Sequence, residues 1–331
     1  MEKLRLGILG VSNHFIKRMV LPIGQLSEVD MVAIASRDIN KSESAAKEFG
    51  IRRSYGSYEA LLKDPNVDAV YIPLPNHLHA EWIEKSLNAG KHVLCEKPLC
   101  MNTEEARRLV QLADDKGKYL MEAFMYKYHP QWQFVYDHIR TNNIGKINYI
   151  HTSFSYNNQS ETNIRNIVEY GGGGMRDIGC YAISVPRFIL QREPLKISCQ
   201  MSYHPKFKTD VMSTAILDFD SAKATFQIST NSDAFQKVDI VGTAGSITVN
   251  LPFNAFADVP AVVTVNTAIG KREIKFDIVD QYGLMVKDFA RAILRNAELA
   301  FSSKDAVLNQ KVLDAAISST KSGLWQNIDD N

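Results

Sequence analysis

The chain has 331 residues, 45% hydrophobic and 23% charged, more than one core usually holds, so two domains are expected. With 38 Lys and Arg against 37 Asp and Glu the net charge is +1, and no bulk field draws it to nucleic acid or an anionic membrane. No apolar run approaches the roughly 18 residues of a membrane span. The opening Met1-Glu2-Lys3-Leu4-Arg5-Leu6 lacks the apolar core of a signal peptide, and Cys95, Cys100, Cys180 and Cys199 form no Cys-x-x-Cys pair, so a cytoplasmic protein with reduced thiols is expected.

Leu4, Leu6, Ile8 and Leu9 read as a strand ending in Gly7-Ile8-Leu9-Gly10-Val11-Ser12-Asn13, with a helix from about His14 to Gly24. The turn between them is a defective form of the dinucleotide fingerprint Gly-x-Gly-x-x-Gly. With Gly10 as its first glycine, Ser12 stands at the second position and Phe15 at the third. Ser12 still lets the backbone approach a pyrophosphate, and its hydroxyl can donate to one. Phe15 should push the loop or helix outward. A plain strand-to-helix turn is the alternative, but a helix N-terminus following a strand favours phosphate.

A second strand, Met31 to Ala35, leads into Ser36-Arg37-Asp38 and a helix from about Asn40 to Phe49. At the carboxyl end of this strand an acid bonds the ribose 2′-hydroxyl of NAD, whereas an Arg accepts the 2′-phosphate of NADP. Ser36 and Arg37 suit a phosphate, with charge-assisted hydrogen bonds of roughly 1.5–3 kcal/mol each. Asp38 keeps NAD possible, and Asp30 lies at the wrong end of the strand. NADP is therefore the expected cofactor.

Ala69 to Ile72 is a third strand, followed by Pro73-Leu74-Pro75-Asn76-His77, where Asn76 can cap a helix beginning near His77 and ending at Gly90. His77 and His79 are two apart and do not make a metal pair, and no metal is expected. His77 either lines the nicotinamide end or is a surface histidine at a helix start. Next comes Gly90-Lys91-His92-Val93-Leu94-Cys95-Glu96-Lys97-Pro98, a short buried strand whose end is charged. Ligands bind at the carboxyl ends of such strands, so Lys97 points its ammonium into the crevice, and Pro98 stops the strand. Asn102 and Glu105 form a capping box for a helix to Gly117, and Tyr119 to Met121 is a further strand. Strands alternating with helices at this spacing make a doubly wound parallel α/β sheet, here a Rossmann domain over residues 1–123.

Residues 124–331 read as a substrate-binding and oligomerisation α+β domain. Gln131 to Arg140 has helical spacing, and 157–170 is polar and irregular, expected as a mobile loop beside the crevice. Gly171 to Gly174 serves either a close approach to a ligand or a hinge. Met175 to Leu190 is helical, with Pro186 expected to kink it, and Asp177 and Tyr181 share one face at i, i+4. A phenol has an ordinary pKa near 10, and an adjacent ammonium favours its ionised form. Lys97 and Tyr181 thus suit an acid/base pair for alcohol–carbonyl interconversion. Short runs from Ile197 to Phe276 read as a large, open, mainly antiparallel sheet. One face should cover the site helices; the other is left for a second subunit, giving a homodimer or dimer of dimers. Helices over Tyr282 to Asn296 and Lys304 to Gly323 follow, then a frayed tail at Asp329-Asp330-Asn331.

Over essentially its whole length the chain resembles the glucose-fructose oxidoreductase / inositol dehydrogenase / rhizopine-catabolism family of NAD(P)-dependent oxidoreductases. The resemblance rests on Gly7-Ile8-Leu9-Gly10, Pro75-Asn76-His77-Leu78-His79-Ala80, the stretch Gly90 to Pro98, Glu122-Ala123-Phe124-Met125-Tyr126, and Gly172 to Tyr181. The branch holding D-xylose dehydrogenase and dihydrodiol dehydrogenase is most similar, with tyrosine where inositol dehydrogenase has histidine. The resemblance implies that Lys97 sits beside the nicotinamide, that the Lys97-Pro98 peptide is cis, and that Asp177 and Tyr181 face the substrate. The departures are Ser12, Phe15 and the stretch Asn13-His14-Phe15, which is one residue long against the pattern.

The expected activity is transfer of a hydride between nicotinamide and a secondary alcohol or carbonyl of a small sugar or cyclic diol. Catalytic roles fall to Lys97, Tyr181 and Asp177, and cofactor contacts to Gly7, Gly10, Ser12, Asn13, Ser36, Arg37, Pro73, Pro75, His77, Glu96 and Lys97. The alternatives are a cofactor-sensing regulatory protein of the same fold and a reductase of nucleotide-linked keto sugars.

Overall fold

Apolar runs too short to alternate faces, each followed by a helix, can bury both sides only in a parallel sheet. In the computed structural model, which describes residues 2–255 and 258–328, these runs form one. Its strands are β1 (Leu4–Leu9), β2 (Val29–Ala35), β3 (Arg53–Tyr55), β4 (Ala69–Ile72), β5 (His92–Cys95) and β6 (Leu120–Glu122). They lie in the order β3-β2-β1-β4-β5-β6, all parallel. The order reverses between β1 and β4, the switch point at which such sheets open a crevice. The connecting helices are α1 (Val20–Gly24), α2 (Ile39–Phe49), α3 (Tyr58–Leu62), α4 (His79–Asn88) and α5 (Thr103–Asp115). Leu4, Leu6, Ile8 and Leu9, and every residue of β4, are wholly buried. The edge strand β3 has no apolar run, which is why sequence patterning passes it over.

Phe15 is fully buried beneath the loop, edge-on to Phe49 at 6.2 Å and 6.3 Å from Tyr71. The helix begins with a π turn, Phe15–Met19, wider than an α turn. One local expectation is corrected. Asn76 does not occupy a cap position: it lies inside a 3-10 turn, Asn76–Leu78, capped by Pro75, and α4 is capped at Leu78. The capping box forms, with Asn102 Oδ1 accepting from the Glu105 N–H at 2.9 Å and Glu105 Oε2 accepting from the Met101 N–H at 3.1 Å.

The chain divides into two compact units, Met1–Met125 with Asp280–Val307, and Tyr126–Val279 with Leu308–Asn331. The second unit holds α6 (Pro130–Arg140), β7 (Ile147–Asn157), α7 (Cys180–Leu190), β8 (Lys196–Tyr203), β9 (Asp210–Asp218), β10 (Lys223–Ser229), β11 (Asn231–Gly242), β12 (Gly245–Val249), β13 (Val262–Thr267) and β14 (Gly270–Lys275). With the short β15 (Gln326–Asn327) they make a nine-stranded sheet in the order β14-β13-β12-β11-β7-β10-β9-β8-β15. Only the β7–β10 pair is parallel. The period-2 pattern sorts its faces. On β9, Ser213, Ala215 and Leu217 are buried while Met212, Thr214 and Ile216 are exposed. α7 packs on β7 and β10, and the solvent side carries the exposed apolar side chains Tyr149, Met212, Ile216 and Phe235.

α8 (Gln281–Arg295) returns to the first unit, where Tyr282 sets its ring against His14 at 5.7 Å. The sequence reading had left everything beyond residue 124 together; the segment Asp280–Val307 packs with the dinucleotide-type sheet instead. α9 (Ser303–Ser322) completes the helices, and the expected tail at 329–331 lies outside the described residues.

Candidate active site

In the first unit the loops after β1, β2 and β4 surround a cavity of about 330 Å³. Gly10 and Ser12 come from the first loop, Ser36, Arg37 and Asp38 from the second, and Pro73 and Pro75 from the third. Gly10 has φ +123°, and a Cβ there would lie 2.9 Å from Leu74 Cδ2, so only glycine lets the backbone pass. Ser12 Oγ accepts from the Phe15 N–H at 3.0 Å, which leaves its own hydrogen to donate. Asp38 Oδ1 accepts from the Asn40 N–H at 3.1 Å, capping α2, and the Asp38 N–H donates to Ser36 Oγ at 3.1 Å. The carboxylate of Asp38 is thus engaged by the helix it starts. Lys41, in the first turn of that helix, lines the same cavity. Sequence reasoning missed it, although its position three residues beyond the cap was the available signal. Two cations and a serine hydroxyl against one capped carboxylate make this a site whose donors fit a phosphate.

The other expected cofactor residues lie outside that lining. Gly7 is a packing glycine, since a Cβ there would come within 2.8 Å of Leu61 Cδ2 and 3.0 Å of Val67 Cγ1. Asn13 is exposed, and His77 sits within the 3-10 turn after Pro75. Glu96 follows β5, where its Oε1 accepts from the Tyr71 hydroxyl at 2.7 Å and lies 3.2 Å from His14 Nε2. Burial alone would raise this carboxyl, but the charge and hydrogen bond of His14, the Tyr71 hydroxyl and the Lys97 ammonium outweigh it and hold the group down at about 2.

Lys97 rides on the next position, with the Lys97-Pro98 peptide cis, as the resemblance implies. Its loop is fastened on both sides. The Glu96 N–H donates to Ile72 O at 3.1 Å and the Leu99 N–H to Glu122 Oε1 at 2.8 Å. The wholly buried His79 has Nδ1 2.8 Å from Pro98 O and Nε2 2.8 Å from Leu74 O, so one imidazole ties the loop after β5 to the loop after β4.

In the second unit, Asp177 lies in a π turn, Met175–Gly179, that leads into α7, and Tyr181 lies in the first turn of α7, 5% exposed. The Tyr181 ring packs against Phe253 at 5.1 Å and against Phe154 and Tyr126, each at 5.8 Å. Two groups absent from the sequence reading hold Asp177. Arg165 Nε is 2.9 Å from Asp177 Oδ2, and the Tyr156 hydroxyl donates to the same oxygen at 2.5 Å. The segment expected as an irregular loop contains two 3-10 turns, Ile164–Asn166 and Val168–Tyr170. The glycines after it serve close approach: a Cβ on Gly173 would lie 2.0 Å from Asp210 Oδ1. Among the described residues no group of three or more His, Cys, Asp or Glu could hold a metal ion, and no helix is long and apolar enough to cross a membrane.

A six-stranded parallel sheet with a glycine-lined first turn and a phosphate-suited pocket at its switch point defines a dinucleotide-binding domain. The comparisons agree. The model described as "Oxidoreductase family, NAD-binding Rossmann fold" matches residues 4–124, and the "GFO/IDH/MocA C-terminal domain" matches residues 132–248. The chain belongs to the GFO/IDH/MocA family of oxidoreductases, and its first unit is an NAD(P)-binding Rossmann domain. It is 34% identical to D-xylose 1-dehydrogenase (NADP(+)) 2 of Haloferax volcanii, covering 98% of this chain and 99% of that one. It is 31% identical to the dTDP-3,4-didehydro-2,6-dideoxy-alpha-D-glucose 3-reductase of Actinomadura kijaniata, covering 94% of each. The crystal structure of KijD10, a 3-ketoreductase from Actinomadura kijaniata in complex with NADP and TDP-benzene, superposes with a TM-score of 0.91 at 29% identity, over 96% of this chain and 98% of that one.

The Glu96 site makes a testable claim on acid stability. A carboxyl held below its ordinary value of 4.5 stabilises the fold above that pH, and the contribution is lost as pH falls from about 4.5 towards 2. In urea titrations across this range, Glu96→Gln should flatten the decline. A decline of unchanged steepness would remove Glu96 from the acid response.

Proposed function

We propose that the protein is an NADP-dependent oxidoreductase acting on a secondary alcohol or carbonyl of a sugar or cyclic diol. The observation that carries the cofactor assignment is the cavity that gathers Ser36, Arg37 and Lys41 around one point beside Gly10 and Ser12. A 2′-phosphate matches these donors in charge and hydrogen bonding, and Asp38, turned to the cap of α2, is a poor partner for a bare ribose. When bound, the nicotinamide ring accepts or gives up the hydride.

The chain's own residues supply the rest. In the oxidation direction Tyr181 takes the proton of the substrate hydroxyl, and Lys97 steadies the charge that develops on that oxygen. Asp177 orients the substrate or the tyrosine. The fastening of Lys97 between Ile72, Glu122 and His79 supports this role, because an ammonium that must meet one oxygen gains from a fixed base. The aromatic packing of Tyr181 supports its role for the same reason.

A nucleotide-linked keto sugar is the second substrate reading, favoured by the similarity to the dTDP-sugar 3-reductase and to KijD10 with TDP-benzene. A panel of aldoses, cyclic diols and dTDP-keto sugars, followed by nicotinamide absorbance, separates the two. Both readings include a homodimer paired through the apolar sheet face at Tyr149, Met212, Ile216 and Phe235. Analytical ultracentrifugation of the wild type and Ile216→Lys checks it: a wild-type monomer at micromolar concentration ends that proposal.

Two substitutions test the chemistry. Lys97→Met should lower turnover by at least about 10²-fold while cofactor still binds; unchanged turnover excludes Lys97 from the reaction. Arg37→Ala should weaken NADPH binding far more than NADH binding by fluorescence titration, and equal losses would overturn the 2′-phosphate assignment.

A further inference from the structure

We infer that Arg165 is a positioning residue of the second unit's site: it pins the Asp177 carboxylate and supplies the standing positive charge that favours ionisation of the Tyr181 phenol. This rests on the reading of Tyr181 as the proton acceptor, and it adds an electrostatic partner that lies in the same unit as the tyrosine.

The backbone of Arg165 is fixed before its side chain is considered. Asn163 Oδ1 accepts from the Arg165 N–H at 3.0 Å, and the Arg165 carbonyl accepts from the Gly173 N–H at 2.8 Å. The preceding coil is gathered by Asn166, whose Nδ2 donates to Asn158 O at 3.1 Å and Ser160 O at 2.9 Å. A Cβ on Gly172 would lie 2.5 Å from the Arg165 carbonyl, so this approach requires glycine. A polar stretch without periodicity thus presents one guanidinium in a set place.

That guanidinium meets a carboxylate that is 13% exposed, while Arg165 itself is 39% exposed. The pair is therefore screened less than one on the open surface, and its hydrogen bond is charge-assisted. Burial, and then the Asp177 charge, push the Tyr156 hydroxyl well above the ordinary phenol range, so it remains a donor. Asp177 in turn holds Arg165 charged. With two donors on one oxygen, Asp177 is a fixed acceptor and not a carrier of protons.

Asp177, to which Arg165 is joined at 2.9 Å, stands four residues before Tyr181 at the entry to the same helix, and the phenol in turn helps to hold the guanidinium charged. Near Tyr181 in the same unit are Asp177 at the entry to its own helix, Arg165 and Tyr156 as the partners of Asp177, and Tyr126, whose ring is 5.8 Å away and whose hydroxyl is 2.8 Å from Ser184 Oγ. Asp210, at the start of β9, accepts from the Met175 N–H at 2.6 Å and is held down in part by Arg176. Phe154 and Phe253, whose rings pack on Tyr181, carry no charge. Without Arg165 the Asp177 anion would lose the counter-charge bonded to it and would disfavour the ionised phenol more strongly. Arg165 therefore allows a carboxylate to stand beside a tyrosine that must lose a proton.

The test uses the full chain with 13C-labelled tyrosine, the Tyr181 signal assigned by its loss in Tyr181→Phe. Arg165→Gln should move the Tyr181 titration up by roughly one pH unit, a tenfold fall in phenolate at fixed pH, and Arg165→Lys should restore most of it. Arg165→Met, nearer in volume, replaces the glutamine variant if that one is unfolded by circular dichroism. The same titration in the wild type and either folded neutral variant overturns the inference. D-xylose oxidation with NADP⁺ separates the two ideas. A Tyr181→Phe enzyme as active as wild type sinks the catalytic reading, whereas a dead Tyr181→Phe enzyme with an unmoved titration in Arg165→Gln sinks only the role of Arg165.

Discussion

The reactive end of the first unit depends on a buried imidazole held between two main-chain oxygens. His79 touches the carbonyl of Leu74 on one side and that of Pro98 on the other. These carbonyls belong to loops that leave neighbouring strands and would otherwise be joined only through the sheet. Burial pushes the ring's pKa down while the two carbonyls push it up; the neutral ring donates to one of them, and only the imidazolium donates to both. With Ile72 O and the Glu122 carboxylate holding the same loop, Lys97 is carried on a backbone secured on every side that the sheet offers. A long, flexible side chain then begins from a fixed point.

Charge in both units follows one arrangement. A carboxylate is buried or half-buried, a phenol donates to it, and a nitrogen-bearing side chain lies against it: Glu96 with Tyr71 and His14 in the first unit, Asp177 with Tyr156 and Arg165 in the second. Neither carboxylate stands alone, as the cost of desolvating an unpaired charge requires. The phenols are pushed up by burial and by the neighbouring charge, which keeps them protonated donors. Tyr181 differs in its surroundings, packed among Phe154, Phe253 and Tyr126.

Much of the fold was legible because its signals are periodic. Apolar runs alternating with capped helices gave the parallel sheet, and the period-2 runs after residue 190 gave the antiparallel one. The π turn at Phe15 was not legible, because a glycine fingerprint presumes a turn of constant width and a π turn is wider. β3 escaped because Arg53-Ser54-Tyr55 has no apolar run. Arg37 could be read from its place at the end of β2, and Lys41 could have been. Arg165 and Tyr156 could not, because their partner is chosen by how a coil closes on itself, and nothing in the spacing of Arg165 and Asp177 announces that they meet. His79 reads from sequence only as one of two histidines that make no metal pair, and the two carbonyls beside it come from segments whose approach only the tertiary structure fixes.

The return of α8 to the first unit has a consequence for how the protein can be divided. The chain passes from one unit to the other at 125/126, at 279/280 and at 307/308. Tyr282, Met285, Val286 and Phe289 on α8 are buried, and α8 packs on β1 and α1 within its own unit. A fragment ending after β6 would keep all six strands yet lose the helix that covers part of them, leaving an apolar strip open to solvent. Neither unit is a contiguous piece of polypeptide, so cutting the gene at the apparent domain border yields two incomplete halves, and synthesis must pass residue 307 before the nucleotide-binding layer is whole.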